Sequence, residues 1–384
     1  MERKNPVIMP NDYPFVFIHG YNNFNDTFAP AREILTEAGY ECYSPHIGPF
    51  TGLWDRCCEL YALLKGGTVD YGIAHSERCG HGRYGKTFDG MFKRWGELDE
   101  NGERVKANFL GHSFGGATIR FLLHLLVEGD EREKAVTPPD QLHPLFLGGH
   151  EDWIHSIFTL AAPHNGTTVL TMAGGYIYTS YFMEFSKANI NSGTTKENAD
   201  KYDLDRFGFT SDKLRLRYAP DKIRAYLRKK EDNCFYELTP SGADKFTGDF
   251  HPYDNVYYFS IAAVGTQPIL GGEAQWPTDV LVERHRSSAI IMGSMHSKYY
   301  GPEWRPNDGR VPLASALHPK NEPWQDFDPG EGFSYRGPVQ KGIWNVFPVE
   351  QPKDHNFYIG EEVDPEVYKK YILDLGNFIA ALDK

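Results

Sequence analysis

The stretch that most constrains this chain is Gly111-His112-Ser113-Phe114-Gly115. It matches G-x-S-x-G, a pentapeptide common enough to mean little alone. Here it stands between residues 104–110, which read as a strand, and residues 114–128, which read as a helix with a broad apolar face. In that setting the serine occupies a sharp, strained bend, and its neighbours at 111 and 115 must be small. The bend lifts a hydroxyl clear of a sheet, and the helix N-terminus aims backbone N–H groups at a developing oxyanion. Taken alone, the pentapeptide reads equally well as a plain Gly-rich turn.

The same strand–helix alternation recurs along the chain. Residues 15–18 form an apolar run ending in His19-Gly20, as a buried parallel strand would. Residues 28–39 read as a helix stopped by Gly39, and residues 53–64 as a helix before Gly66-Gly67. Residues 155–161 and 256–264 read as further strands, 364–382 as a last helix, and 68–95 as an irregular loop. The pattern predicts an α/β fold with a mostly parallel central sheet and helices on both faces. No repeat interrupts it, so the 384 residues are read as one large domain, 1–384, with two insertions. The first is 53–95. The second, about 171–235, opens with crowded aromatics (Tyr176, Tyr178, Tyr181, Phe182, Phe185) and holds a basic helical stretch at 212–230.

A neutral serine needs a base, and the base needs an orienting carboxylate. In folds built around such an elbow, the chain order is Ser, then Asp or Glu, then His. Order alone admits His124, His143, His150, His155, His164, His251, His285, His296, His318 and His355. His124 lies on an apolar helix and reads as a packed residue. His355 follows the apolar segment 344–347, where the last strand would deliver a base. Asp308, in the turn Asn307-Asp308-Gly309, is the candidate acid, although by spacing alone a turn-forming Asp is the favoured reading, which the family resemblance below reverses. The backbone amides of Tyr21 and Phe114 are the candidate oxyanion donors.

A second constellation is chemically distinct. Asp55, His75, His81 and Asp232 make a His₂Asp₂ set suited to tetrahedral Zn²⁺, and four protein ligands would make the site structural. Cys57, Cys79 and Cys234 each lie two residues from a member of a potential set, so a mixed Cys/His site stays open. With five cysteines in all, a disulfide framework is not expected.

Charge narrows the partners. Forty Lys and Arg against 52 Asp and Glu give −12, which argues against nucleic acid or a polybasic membrane anchor. No apolar run is long enough to span a bilayer. Residues 1–14 lack the apolar core of a signal peptide, so the reading is either a cytoplasmic chain or one that begins after a removed signal.

Taken together, these residues resemble the thermoalkalophilic, zinc-containing bacterial true lipases of the α/β-hydrolase superfamily. The most specific likeness is residues 54–90, similar to that family's distinctive insertion. Residues 162–168, 236–242, 307–311 and 354–355 add to it, and the resemblance runs from about 13 to 380. It implies Ser113 as nucleophile, Asp308 as acid, His355 as base, amides 21 and 114 as the oxyanion hole, and Asp55, His75, His81 and Asp232 as zinc ligands. It also implies secretion, and a lid over residues 171–210 that opens at an apolar surface, with transient lipid contact.

The chain departs from the family pattern in places. Gly111 and Phe114 replace Ala and Gln in the usual Ala-His-Ser-Gln-Gly. Phe207 stands where a tryptophan packs by the zinc region. Phe357 replaces a calcium-binding acid two residues after the base, which puts a Ca²⁺ site in doubt, with Asp364 or Glu361 as partial substitutes. The expected function is a serine carboxylic ester hydrolase acting on apolar esters: triacylglycerols, short esters or hydrophobic polyesters. The 25 Phe and 23 Tyr suit an apolar acyl pocket. The rival readings are a thioesterase or peptidase on the same fold, and a non-catalytic protein that binds apolar ligands.

Overall fold

Strand β1 (Phe15–Ile18) shows how the sheet is built. Its side chains alternate between two apolar clusters: Val16 and Ile18 on one face, Phe15 and Phe17 on the other. A strand buried on both faces belongs in the middle of a layered α/β structure. The computed structural model describes residues 11–21, 26–171, 231–269 and 271–384.

After β1 come α1 (Ala29–Glu37), β2 (Cys42–Tyr43), α2 (Leu53–Lys65), β3 (Gly67–Asp70), α3 (Ile73–Cys79) and β4 (Tyr84–Phe88). Then follow β5 (Ala107–His112), α4 (Phe114–Glu128), α5 (Glu131–Val136), α6 (Pro144–Leu147) and β6 (Ile154–Leu160). The remainder holds α7 (Cys234–Glu237), α8 (Pro240–Thr247), β7 (Tyr257–Ile261), β8 (Thr266–Pro268), β9 (Gln275–Pro277) and α9 (Glu283–Gly293). It ends with α10 (Leu313–Ala316), β10 (Trp324–Asp326), β11 (Trp344–Val346) and α11 (Pro365–Ala380).

Seven strands form one sheet in the order β10-β11-β7-β6-β5-β1-β2, and every neighbouring pair is parallel. Helices α2 and α4 pack together on the Val16/Ile18 face, and α1 and α11 on the Phe15/Phe17 face. Phe158 of β6 sits deep in that second cluster, stacked on Phe259 at 4.3 Å between centroids and edge-on to Phe378. Phe158→Ala is expected to cost about 3–5 kcal/mol, because a rigid parallel sheet cannot collapse into the hole. The shift in urea midpoint at unchanged slope measures it.

Several boundaries differ from the sequence expectation. The strand read at 104–110 runs over Ala107–His112. Arg104 instead bridges Leu98, while buried Asn108 is satisfied by Asn11 and the Tyr13 carbonyl, so a polar residue sits within the strand. The segment read as irregular, 68–95, contains the antiparallel pair β3–β4 with α3 between. β4 is exposed along most of its length and carries no apolar alternation, so its pairing left no hydrophobic signal. Helix α9 drew no sequence signal either. The aromatic segment predicted as a lid, and Phe207 with it, lie outside the described residues. Among the described residues no helix is long and apolar enough to cross a membrane.

Candidate active site and metal centre

Strand β5 ends at His112, and Ser113 turns the chain with φ +55° and ψ −129°. A serine in the left-handed region is strained, and such strain collects at functional sites. The packing explains the flanking glycines. A Cβ on Gly111 would lie 2.6 Å from the Gly115 carbonyl carbon, and one on Gly115 would run into the Ile18 carbonyl. The Ser113 carbonyl accepts from Gly116 N at 3.0 Å, and α4 leads away with Phe114 fully buried.

The loop after β1 closes on the same point. A Cβ on Gly20 would sit 2.9 Å from the Ser113 Cβ, so Gly20 lies against the serine. Two buried groups hold that loop. His19 donates from Nδ1 to the Gly20 carbonyl at 2.7 Å and accepts at Nε2 from Ile47 N. Burial and the nearby Arg56 cation keep its imidazole well below the usual range, hence neutral. Arg56 donates to the carbonyls of His19 (2.5 Å) and Gly48 (2.7 Å) and to Thr118 Oγ1 (2.9 Å).

Asp308 and His355, far apart in sequence, meet in a buried hydrogen bond of 2.7 Å from His355 Nδ1 to Asp308 Oδ2. The other carboxylate oxygen accepts from the amides of Arg310 and Val311, and His355 N donates to the Asp308 carbonyl. This pair is tied to the serine-bearing strand by His112, whose Nε2 donates to the His355 carbonyl at 2.9 Å with the rings 4.6 Å apart. Among the described residues no hydrogen bond joins the Ser113 hydroxyl to the His355 ring; in unliganded sites such contacts are commonly long. His285, one of the ten histidines admitted by order, forms a second buried pair, with Asp354. His124 stacks on Phe250 instead, at 4.1 Å.

The four residues of the metal reading also converge. Asp55 Oδ1 lies 3.2 Å from His75 Nε2 and 3.7 Å from His81 Nε2, and Asp232 Oδ2 lies 3.6 Å from each ring. A tetrahedral ion with bonds near 2.0 Å sets its donors roughly 3.3 Å apart. Asp55 Oδ1, His75 Nε2 and His81 Nε2 are buried and have no hydrogen-bond partner, as donors aimed at a cation would be.

Cys79 joins His75, His81 and Asp232 in an overlapping group. Its sulfur lies 3.8 Å from His75 Nδ1, while Asp55 Oδ1 faces the Nε2 of the same ring. Cys57 instead donates to the Thr118 carbonyl. Trp54 stacks on His75 at 4.9 Å, and Glu133 accepts from the amides of Ala74 and His75, which fixes α3. Near the C-terminus, Asp364 caps α11, Glu361 pairs with Arg284, and Lys353 lies over the Phe357 ring.

Residues 11–383 match the family model described as a lipase-like C-terminal domain. The chain belongs to that family. Lipase 1 of Staphylococcus aureus (strain NCTC 8325 / PS 47) is 32% identical over 370 residues, covering 92% of this chain and 51% of the relative. The chain thus spans about half the length of the curated relatives it matches. Among solved structures, Staphylococcus hyicus lipase shares 29% identity at a TM-score of 0.82, over 99% of this chain and 98% of that one. EstA from Clostridium botulinum shares 28% at 0.83, over 99% and 90%. The sheet is accordingly of α/β-hydrolase type.

In this lipase-like domain, sequence reasoning missed Arg56 and His19. All of Leu53–Leu64 is buried, charges included. A helix with Asp55, Arg56 and Glu59 among large apolar residues was the available signal. Arg56 and Glu59 each meet an internal partner; Glu59, for instance, accepts from Gly48 N at 2.6 Å.

Proposed function

We propose that the chain is a serine carboxylic ester hydrolase of the triacylglycerol lipase type, working on apolar esters through an acyl-enzyme. The observation that carries this reading is the buried Asp308–His355 pair, bonded through His112 to the strand that delivers Ser113. His355 takes the Ser113 proton while Asp308 holds the ring, and the Ser113 oxygen attacks the ester carbonyl. The backbone amides of Tyr21 and Phe114 stabilise the oxyanion, and one such donor is typically worth about 3–4 kcal/mol in the transition state. His355 then protonates the departing alcohol, and a water deprotonated by the same ring releases the acid.

Chain 1–384 is read as one domain, with 53–95 as its metal-binding insertion and 171–235 as its cap. In the 53–95 insertion, Asp55, His75 and His81, joined by Asp232, would hold Zn²⁺ in a closed, structural site. The orphaned, converging donor atoms support this reading. When bound, the ion supplies charge balance to two buried carboxylates and fixes the insertion. Secretion and transient contact with lipid surfaces follow the family resemblance.

The test is a panel of p-nitrophenyl esters from acetate to palmitate, emulsified triacylglycerol, a thioester and an anilide, together with labelling by a fluorophosphonate. Ester turnover with stoichiometric labelling is expected. Preference for the anilide or thioester would move the chain to another hydrolase class, and failure to label would make it a non-catalytic scaffold.

A further inference from the structure

We propose that His285 and Asp354 form a positioning pair that sets the acid-bearing and base-bearing loops against each other, with α9 as their common support. Asp354 directly precedes His355 and caps the short turn His355–Ile359, accepting from Asn356 N at 2.8 Å. The same carboxylate accepts from Val282 N at 3.1 Å and from His285 Nδ1 at 2.9 and 3.0 Å. Both residues are buried, at 1% and 7% exposure, so this is not a solvent-averaged surface pair. Burial alone would raise the Asp354 carboxyl; the His285 bond and charge and the two amides hold it below its ordinary value.

The other half of the clamp reaches the acid. His285 packs so closely under Gly309 that a Cβ there would meet the His285 Cβ at 2.8 Å. Ser288 donates to the Gly309 carbonyl at 2.5 Å, and Asn307 Nδ2 donates to the Ala289 carbonyl at 3.2 Å. Helix α9 therefore grips the residues on both sides of Asp308 and the residue before His355. The His285 and His355 rings lie 6.2 Å apart, nearly perpendicular. His285 makes its contacts with Asp354, Gly309 and the His355 ring rather than with Ser113. It acts through the placement of His355, and a misplacement of about 1 Å can cost roughly 10²-fold in rate.

This inference rests on the hydrolase reading, and two readouts separate their fates. In His285→Leu, kcat for a p-nitrophenyl ester is expected to fall by roughly tenfold or more with KM within about twofold, since substrate contacts are untouched. The downfield NMR signal of the His355 Nδ1 proton toward Asp308 should shift or broaden. In His285→Asn, whose amide keeps a donor toward Asp354, kcat should return to within about threefold of wild type. If His285→Leu does not fold, His285→Gln takes its place, because its longer amide misplaces the donor.

Unchanged kcat and an unchanged proton signal in the leucine or glutamine variant would overturn the proposal. So would equal losses in that variant and in the asparagine one, or a rise in KM alone. If the wild-type protein hydrolyses no ester, the hydrolase reading falls and the proton signal alone decides the positioning role.

Discussion

Ser113→Ala is expected to lower kcat for p-nitrophenyl esters by at least about 10⁴-fold while leaving the melting temperature within a few degrees. The substitution removes one oxygen from a residue whose backbone already holds the strained bend and whose neighbours are fixed by contact with β1. The amides of residues 21 and 114 remain, so a residual rate above that in buffer should survive. Asp308→Asn should come close to the same loss with a different cause. An amide that donates toward His355 Nδ1 disfavours the tautomer that leaves Nε2 free for the serine proton. Full activity in Ser113→Ala would place the nucleophile elsewhere. A collapse in melting temperature would mean that the loss of rate reports unfolding.

The second large effect is at the metal centre. The purified protein is expected to carry about one zinc per chain by elemental analysis, and chelation should lower its melting temperature. An ion held at about 1,000 times its Kd stabilises by roughly 4 kcal/mol. At about 1.2 °C per kcal/mol for a chain this long, that is roughly 5 °C. Removing the cation also leaves Asp55 and Asp232 together in a pocket where neither is more than a tenth exposed. Asp55→Asn should abolish metal retention, whereas Cys79→Ser should leave the stoichiometry intact, because the Asp55 carboxylate faces both imidazole Nε2 atoms. Equal retention in Asp55→Asn with loss in Cys79→Ser would reverse the ligand choice. A metal-free protein with an unchanged melting curve would remove the ion altogether.

What the sequence discloses here divides along a physical line. Strands such as Phe15–Ile18 and Tyr257–Ile261 are buried on both faces and therefore continuous in apolar residues, so they can be read directly. The glycines at 111 and 115 announce the elbow because only a missing Cβ permits the approach of β5 to α4 at the first and of α4 to β1 at the second. The convergence of Asp308 with His355, or of Asp55 with Asp232, is invisible to periodicity. It depends on long-range crossovers, and only chain order and family likeness pointed to these residues.

The misses have the opposite cause. Helix α9 mixes Glu, Arg, His and Ser with Ala, Ile and Met, because its buried side contacts polar loops rather than a core, so no apolar stripe marks it. The β3–β4 pair joins a half-buried β3 to an exposed β4 that has no apolar alternation. Arg56 is a cation with zero exposure that donates to two main-chain carbonyls, and residue pattern carries no record of such partners.

Two consecutive residues at the start of α2 face opposite duties. Asp55 turns toward the imidazoles of the insertion, and Arg56 turns toward the peptide carbonyl beside the candidate nucleophile. A single peptide unit thus joins the insertion's anchor to the cradle of the reacting carbonyl. A displacement of Asp55 would therefore reach Arg56 through shared main chain, with no side chain between the imidazoles' neighbour and the His19 carbonyl's donor.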